Sequence, residues 1–564
     1  MVDGERGARG SSTTVKRTSA KPGRGRNDSG RVVQIPTRTA AHLGADEVDF
    51  RDWFLTVAER GNTWTSIDAS HGDGTAWTTG NRVRPLIHGA TYFSELLAAV
   101  RAASAGDHLF FTDWRGDPDE RLDGPGTEVS HVLADAAARG VVVRGLVWRS
   151  HLDRFRYHEA ENRHLGEEIQ AAGGECLLDM RVRPGGSHHQ KLVVLRYRGR
   201  PESDVAFVGG IDLCHGRRDD HRHLGDEQPC PIGAAYGPQP AWHDVQVAIQ
   251  GPAVADVEAA FRERWEDPAP LTRNPYRRWR DRSLRPNGPV DCPGRLPAPP
   301  PCGQDAVQVL RTYPYRRRGY SFAPMGERSI ARAFDKALRR ARHLVYLEEQ
   351  YLWSPHVVGA FAHALAANDY LRLLAVVPHF PDRDSPTYNT PQLWARSRAL
   401  ELLHRAGPGR VGVYGIENHA GWPVYVHAKI AVIDDMWTVI GSDNLNLRSW
   451  THDSELTCAI LGEHSDSVGR GLRLALAREH LDRADDDDAD LIDPVRMFDA
   501  YAHSAQALDA WHRSGRRGPR PRGRLRPYRM PAVNRWTGRW AQPLYRLLYD
   551  PDGRPPVLRR RGVF

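Results

Sequence analysis

Two short segments carry the same chemistry-bearing pattern. His189-Gln190-Lys191 leads into an apolar run and then Gly209-Gly210-Ile211-Asp212. His427-Ala428-Lys429 leads into Ile430-Ala431-Val432-Ile433-Asp434 and then Gly441-Ser442-Asp443-Asn444. On a strand, residues i and i+2 point to one face, so each histidine stands beside its lysine. Two converging copies would surround one pocket with two imidazoles, two ammonium groups, Ser442, Asn444 and the N–H groups of small turns. That set suits a phosphodiester, whose phosphoryl oxygens gain charge in the transition state and need fixed donors. One imidazole attacks phosphorus while the other protonates the departing oxygen. Imidazole titrates near neutrality, so both roles are accessible. Lysines here take the place of a phosphate-clamping cation, so no metal and no cofactor is expected.

Chance does not account for the pattern. With this composition His-x-Lys would occur about 0.2 times in the chain. It occurs twice in matching surroundings, and it uses two of only five lysines in a chain whose other basic residues are arginines. Lysine's compact charge and arginine's planar fork are not interchangeable.

The elements that must position these residues repeat as well. In the first unit an amphipathic stretch at 92–105 leads to a strand ending FFTDW. A second helical stretch precedes VVVRGLVW, and a third precedes CLLD. In the second unit, helical stretches alternate with the strands LVYLEEQY, LRLLAVVP and VGVYGIE. Periods of 3.6 alternating with short β-rich runs predict an α/β fold. The spacing from Asp113 to His189 nearly equals that from Glu349 to His427, which predicts an internal duplication. The expected fold is therefore two similar α/β-sandwich halves facing each other across one shared cleft. The expected organisation is a disordered basic arm over 1–45, a first half over 46–266, a proline-rich linker over 267–325, a second half over 326–480, and an acidic loop with an arginine-rich tail over 481–564.

These segments resemble the paired His-x-Lys-x4-Asp motifs of the phospholipase D superfamily, over most of residues 85–460. HHQK, AFVGGIDLCHGRRD, YLEEQYLW, HAKIAVIDD and GSDNLNLRSWTHDSEL are closest in phrasing to its eukaryotic-type branch. The resemblance implies a bilobal monomer that hydrolyses glycerophospholipids to phosphatidic acid and a free headgroup through a phosphohistidine. Water, or a small alcohol in a transphosphatidylation, is the acceptor. It implies that His189 is the nucleophile and His427 the acid and then base. Lys191 and Lys429 bind phosphate oxygens, with Ser442 and Asn444 assisting. Glu455 orients His427, and Asp219, with Asp220 next, orients His189. The second motif closes on Asp434, whereas the first has Arg196 where the family has aspartate, and Asp212 stands where the second half has Asn444. The alternatives are a cardiolipin synthase-like phosphatidyltransferase, a nuclease, and an inactive lipid-binding homologue, the last motivated by Arg196.

Other segments admit plainer readings as well. His221 and His223, near Asp219, Asp220 and Asp226, resemble a metal cluster, but a polar loop favours solvated histidines. Trp242-His243-Asp244 reads as the start of a strand. The aromatic, basic segment 313–322 suits a lipid surface, a nucleic-acid backbone, or packing at the linker. Trp536, Trp540, Leu547 and Leu548 among arginines suit an interfacial anchor or a docking segment.

Charge and composition bound the partners. The chain has 564 residues and a net charge of +8. Residues 513–564 contribute +13 and residues 1–31 contribute +5, which leaves the body acidic. Basic ends attract anionic headgroups or nucleic acid. A phospholipid at a membrane surface is the expected partner, with nucleic acid the weaker candidate. Six cysteines form no C-x-x-C pair, which argues against a zinc knuckle or a redox motif. The first 26 residues lack the apolar core of a signal peptide, and no run approaches the ~20 apolar residues of a spanning helix. The expected location is cytoplasmic, or peripheral at a membrane.

Overall fold

The computed structural model describes residues 49–564 apart from 70, 73, 151–157, 285–288, 463–466 and 531–535. The basic arm expected over 1–45 lies outside the described residues.

Residues Val48–Phe564 form one compact unit. Its strands are β1 (Thr78–Ile87), β2 (His108–Asp113), β3 (Val142–Trp148), β4 (Glu175–Asp179), β5 (Leu192–Arg196), β6 (Val205–Gly209), β7 (Ala241–His243), β8 (Val245–Gln250) and β9 (Asp305–Tyr313). They continue with β10 (Glu327–Arg328), β11 (Leu344–Glu349), β12 (Arg372–Val376), β13 (Val411–Glu417), β14 (Pro423–Val426), β15 (Lys429–Ile433), β16 (Trp437–Gly441), β17 (Glu455–Leu461) and β18 (Leu525–Pro527).

Two sheets repeat one plan. The first runs β4-β3-β2-β5-β6-β8-β1, with β2, β3 and β4 parallel and the other pairings antiparallel. The second runs β13-β12-β11-β15-β16-β17-β9 with the same directions at every step. The parallel neighbours are joined through helices, as parallel pairs require. Strand alternation then sorts the side chains into layers. Leu192 and Val194 of β5 and Ile430 and Val432 of β15 point into one core between the sheets. Val193 and Leu195 face the helices outside the first sheet, Gly89–Ala102 among them. Ala431 and Ile433 face the helices outside the second sheet. The helices Ala253–Trp265 and Val468–Leu481, which follow β8 and β17, bury Val257, Phe261, Leu472 and Leu476 in the shared core. The short strands β7 and β14 pair in parallel across the two halves.

Two segments differ from the expected organisation. Residues 305–313, read as linker, form β9, which pairs along its length with β17. Proline-dense flanks hide this strand, but the second sheet needs it as the counterpart of β1. The arginine-rich region beyond 512 is not a solvated tail. The helix Pro494–Arg513 buries Met497, Phe498, Tyr501 and Leu508, and β18 pairs with β13. Its arginines find carboxylates on the body: Arg524 bonds Asp482 at 3.1 Å, Arg526 bonds Glu417 at 2.8 Å, and Arg529 bonds Asp509 at 2.8 Å. Paired charges can dock where unpaired ones could not. In segment 313–322, Tyr313 and Tyr320 pack with Phe322 as a buried cluster. Among the described residues, no helix is long and apolar enough to cross a membrane.

Candidate active site

β5 and β15 start at the same end of the shared core, so the His-x-Lys segments that open them meet in one cleft. Its volume is about 650 Å³, and both His189 and His427 line it, with Asp212, Arg217, Asn444 and Arg448. Lys191 and Lys429 are buried behind the imidazoles, and each Nζ bonds the carbonyl of the histidine two residues earlier, for Lys191 at 3.0 Å.

Each histidine is held by the opposite half. His189 Nδ1 lies 2.9 Å from Glu455 Oε2, and His427 Nδ1 lies 2.6 Å from Asp244 Oδ2. The backbone repeats the exchange. The His189 N–H donates to the Ser454 carbonyl at 2.9 Å, and the His427 N–H donates to the His243 carbonyl at 2.7 Å. Both carboxylates stand at the start of equivalent strands, β17 and β8. With Nδ1 engaged, each ring presents Nε2 to the cleft, the arrangement that general acid–base and nucleophilic imidazoles use.

Two expectations are therefore corrected. Glu455 serves His189 rather than His427. Asp219 touches neither ring: it accepts the N–H of Trp242 at 2.8 Å and so supports β7. Asp244, which reads in sequence as the start of a strand, is the carboxylate on His427. A signal for it was present, because Asp244–Gly251 aligns without a gap on Glu455–Gly462, with Ala-Ile at matching places. Spacing from the histidines concealed it, since the two halves carry intervening segments of different length. Gly210 also has a role that its motif does not spell out: a Cβ there would come within 2.5 Å of Asp244 Oδ1.

Ser442 does not face the cleft as a free hydroxyl. It accepts the Leu456 N–H at 3.0 Å and donates to Glu455 Oε2 at 2.6 Å, so it orients the carboxylate that orients His189. Asn444 lines the cleft. Asp434 is remote from it. Its carboxylate accepts the N–H groups of Arg342, His343 and Leu344 at 2.6–2.8 Å and pins the start of β11. The first half places Arg196 at that position, buried against Asp204 at 2.6 Å and against Glu258. The departure is thus absorbed by an ion network away from the cleft.

Burial sets the electrostatics. It pushes both catalytic-motif imidazoles well below their usual range, with the Lys191 and Lys429 charges adding to the effect at His189 and His427 respectively. It raises Glu455 to about 8, helped by Asp453, and raises Asp244. Burial also lowers Lys429 to about 8 against the pull of Asp244 and Glu349. The lysines differ: Lys191 is paired with Asp212 at 3.2 Å, whereas the second half offers Asn444 at the matching place. Burial opposes ionisation of Asp212, but Lys191 and a proton held on Asp113 outweigh it.

Sequence reasoning also missed Arg217 and the aromatic walls. Arg217 is buried, stacks over Trp242 at 3.9 Å, and reaches the cleft as a third cation beside His427. Trp242 lies 5.0 Å from the His427 ring, and Trp114 lies edge-on to His189 at 6.2 Å. Arginine beside a motif full of surface-type residues (GRRDDHRH) carries no pattern that marks it out.

The phospholipase D family model matches residues 170–275, which contain the first His-x-Lys segment and Asp244. Phospholipase D alpha 1 of Cynara cardunculus is 25% identical over 497 residues, covering 66% of this chain and 60% of that protein. Phospholipase D beta 1 of Arabidopsis thaliana is 27% identical over 408 residues, covering 53% of this chain and 38% of that protein. The chain thus spans about 60% of the length of the first of these curated relatives. A solved phosphatidylserine synthase of Haemophilus influenzae aligns with a TM-score of 0.46 at 14% identity, covering 68% of this chain and 83% of that one.

Proposed function

We propose that the chain, which matches the phospholipase D family model over residues 170–275 and is similar to plant phospholipases D, is a phosphodiesterase that converts glycerophospholipids to phosphatidic acid and a free headgroup. Nε2 of His189 attacks phosphorus, and the bond to the headgroup oxygen breaks. His427 gives that oxygen its proton, and the phosphatidyl group stays on His189. His427 then takes a proton from water, whose oxygen displaces His189 and releases phosphatidic acid. A small alcohol in place of water gives a phosphatidyl alcohol. Lys191, Lys429 and Arg217 counter the charge on the phosphoryl oxygens. Asp244 and Glu455 hold the rings and stabilise the imidazolium that each step forms.

The observation that carries this reading is the crossed bracing of the two histidines in one cleft. The chain supplies both halves of the site, which supports action as a monomer. Arg196 sits in buried ion pairs away from the cleft, which weakens the inactive reading. Arginines of the C-terminal region are paired with Asp482, Glu417 and Asp509, which weakens the nuclease reading.

A membrane surface as the place of action is supported by the rim. Leu547 and Leu548 line the cleft yet are 72% and 54% exposed, and Trp540 is 48% exposed on the helix that leads to them. Apolar side chains at a cleft mouth, with Arg539 and Arg546 adjacent to them in sequence, fit an anionic lipid interface.

The test is incubation of purified protein with mixed phospholipids and ethanol, read by mass spectrometry. Phosphatidic acid and phosphatidylethanol are the expected products, and both disappear in His189→Ala and His427→Ala. Full turnover in either variant would reject the shared-cleft mechanism.

A further inference from the structure

Behind the cleft lies a second cluster that the reaction does not use. His88, His223 and His243 converge on Glu479, and their donor atoms all lie within 4.8 Å of one another. The three imidazole centroids are 4.9, 5.2 and 5.6 Å apart. All three histidines are buried, His223 and His243 completely. His223, which reads in sequence as a solvated loop histidine, is therefore an interior group.

Hydrogen bonds on the far nitrogens orient the rings of His243 and His223. His243 Nε2 lies 2.5 Å from Glu348 Oε2, which takes its N–H and leaves Nδ1 as a lone pair. That Nδ1 has no hydrogen-bond partner and sits 3.7 Å from Glu479 Oε1. The separation is too long for a hydrogen bond. It is close to the ~3.3 Å that separates two ligands of a tetrahedral zinc with bonds near 2 Å. His223 Nδ1 faces the Trp242 carbonyl at 3.2 Å, which likewise directs its Nε2 at Glu479, at 3.0 Å. His88 Nε2 lies 2.7 Å from Glu479 Oε2. A metal-bound histidine usually hands its second N–H to a carboxylate or carbonyl, and His243 and His223 both have that arrangement. His88 and His223 are moreover held at positive φ, 70° and 55°, conformations that strain a side-chain-bearing residue.

We propose that His88, His223, His243 and Glu479 form a buried site for one divalent transition metal, with zinc the best match to three imidazoles and one carboxylate. The ligands come from the turn before the helix Gly89–Ala102, the loop ahead of β7, β7 itself, and the helix Val468–Leu481 of the other half. The site staples the two halves one residue from Asp244, the carboxylate that braces His427. It is distinct from the phosphate cleft and does not depend on the substrate assigned to it.

The experiment strips the purified full chain with a chelator and titrates it with zinc chloride, followed by calorimetry and thermal melting. One zinc per chain and a rise in melting temperature are expected. Cobalt chloride replaces zinc in a parallel sample, where intense visible absorption of tetrahedral cobalt(II) is expected. This second readout needs no variant and stands even if substitutions unfold the protein. His223→Gln should weaken zinc binding at least tenfold, whereas His71→Ala, which removes a histidine paired elsewhere with Asp256, should bind as wild type. An unmoved melting temperature with no cobalt band, or equal zinc binding by folded His223→Gln, would overturn the proposal.

Discussion

His427 and Asp244 are separated by 183 residues and belong to opposite halves, yet their side chains meet at 2.6 Å. Glu455 returns the exchange at His189 across 266 residues. Neither half therefore braces its own cleft histidine, and the braced pairs exist only when both halves are docked.

Removing either brace should impair chemistry without unfolding the protein. Asp244→Asn and Glu455→Gln are expected to lower kcat by about 10²–10⁴-fold, the scale seen when a carboxylate that orients a catalytic imidazole becomes an amide. KM should change little. Steady-state kinetics on a soluble short-chain phospholipid checks this, and wild-type kcat in both variants would show that the braces are ornamental to the reaction.

Lys429 should set an alkaline limit. In the proposed reaction its protonated form binds the phosphate, and burial lowers it to about 8. As pH rises through that value the ammonium is lost, so kcat/KM should fall well before an ordinary lysine would titrate. The free enzyme's groups govern kcat/KM. The pH profile of Lys429→Arg should lose this limb, because guanidinium stays charged. A wild-type profile flat to pH 10 would contradict the assignment.

Arg196 should matter for stability and not for turnover. Arg196→Ala leaves Asp204 buried without its guanidinium, a loss of about 3–5 kcal/mol for a broken buried ion pair. Glu258 keeps Arg262 at 2.6 Å, so the lower end is expected. Urea unfolding measures the loss, and the folded fraction should retain wild-type kcat. Lost activity at unchanged stability would place Arg196 in the chemistry instead.

The exposed helix face ahead of the cleft should govern membrane binding. Trp540→Ser with Leu544→Ser removes two exposed apolar side chains, 48% and 36% accessible. At roughly 25 cal/mol per Å² of apolar surface, binding to phosphatidylglycerol vesicles should weaken about tenfold or more. Turnover of a soluble short-chain substrate should persist. Unchanged sedimentation with vesicles would remove this face from the interface.

The two His-x-Lys pairs, their strands and the repeated α/β order were legible because each is local: a period of two or 3.6, a turn, an improbable use of lysine. β9 was not legible, since the prolines around it outweighed nine residues of strand pattern until a second sheet required an edge partner. The arginines beyond 512 read as solvated because their carboxylates, Glu417, Asp482 and Asp509, lie outside that segment.

The pairing of His189 with Glu455 and of His427 with Asp244 belongs to the tertiary structure alone. Spacing along the chain names the carboxylates that follow each histidine, but hydrogen bonds form over a few ångströms of space. Which carboxylate arrives there is decided by how the ends of β5, β8, β15 and β17 are stacked. The chain dictates the reactive groups and the strands that bear them. The docking of one sheet on the other chooses their partners, because only burial of the shared apolar core sets that register.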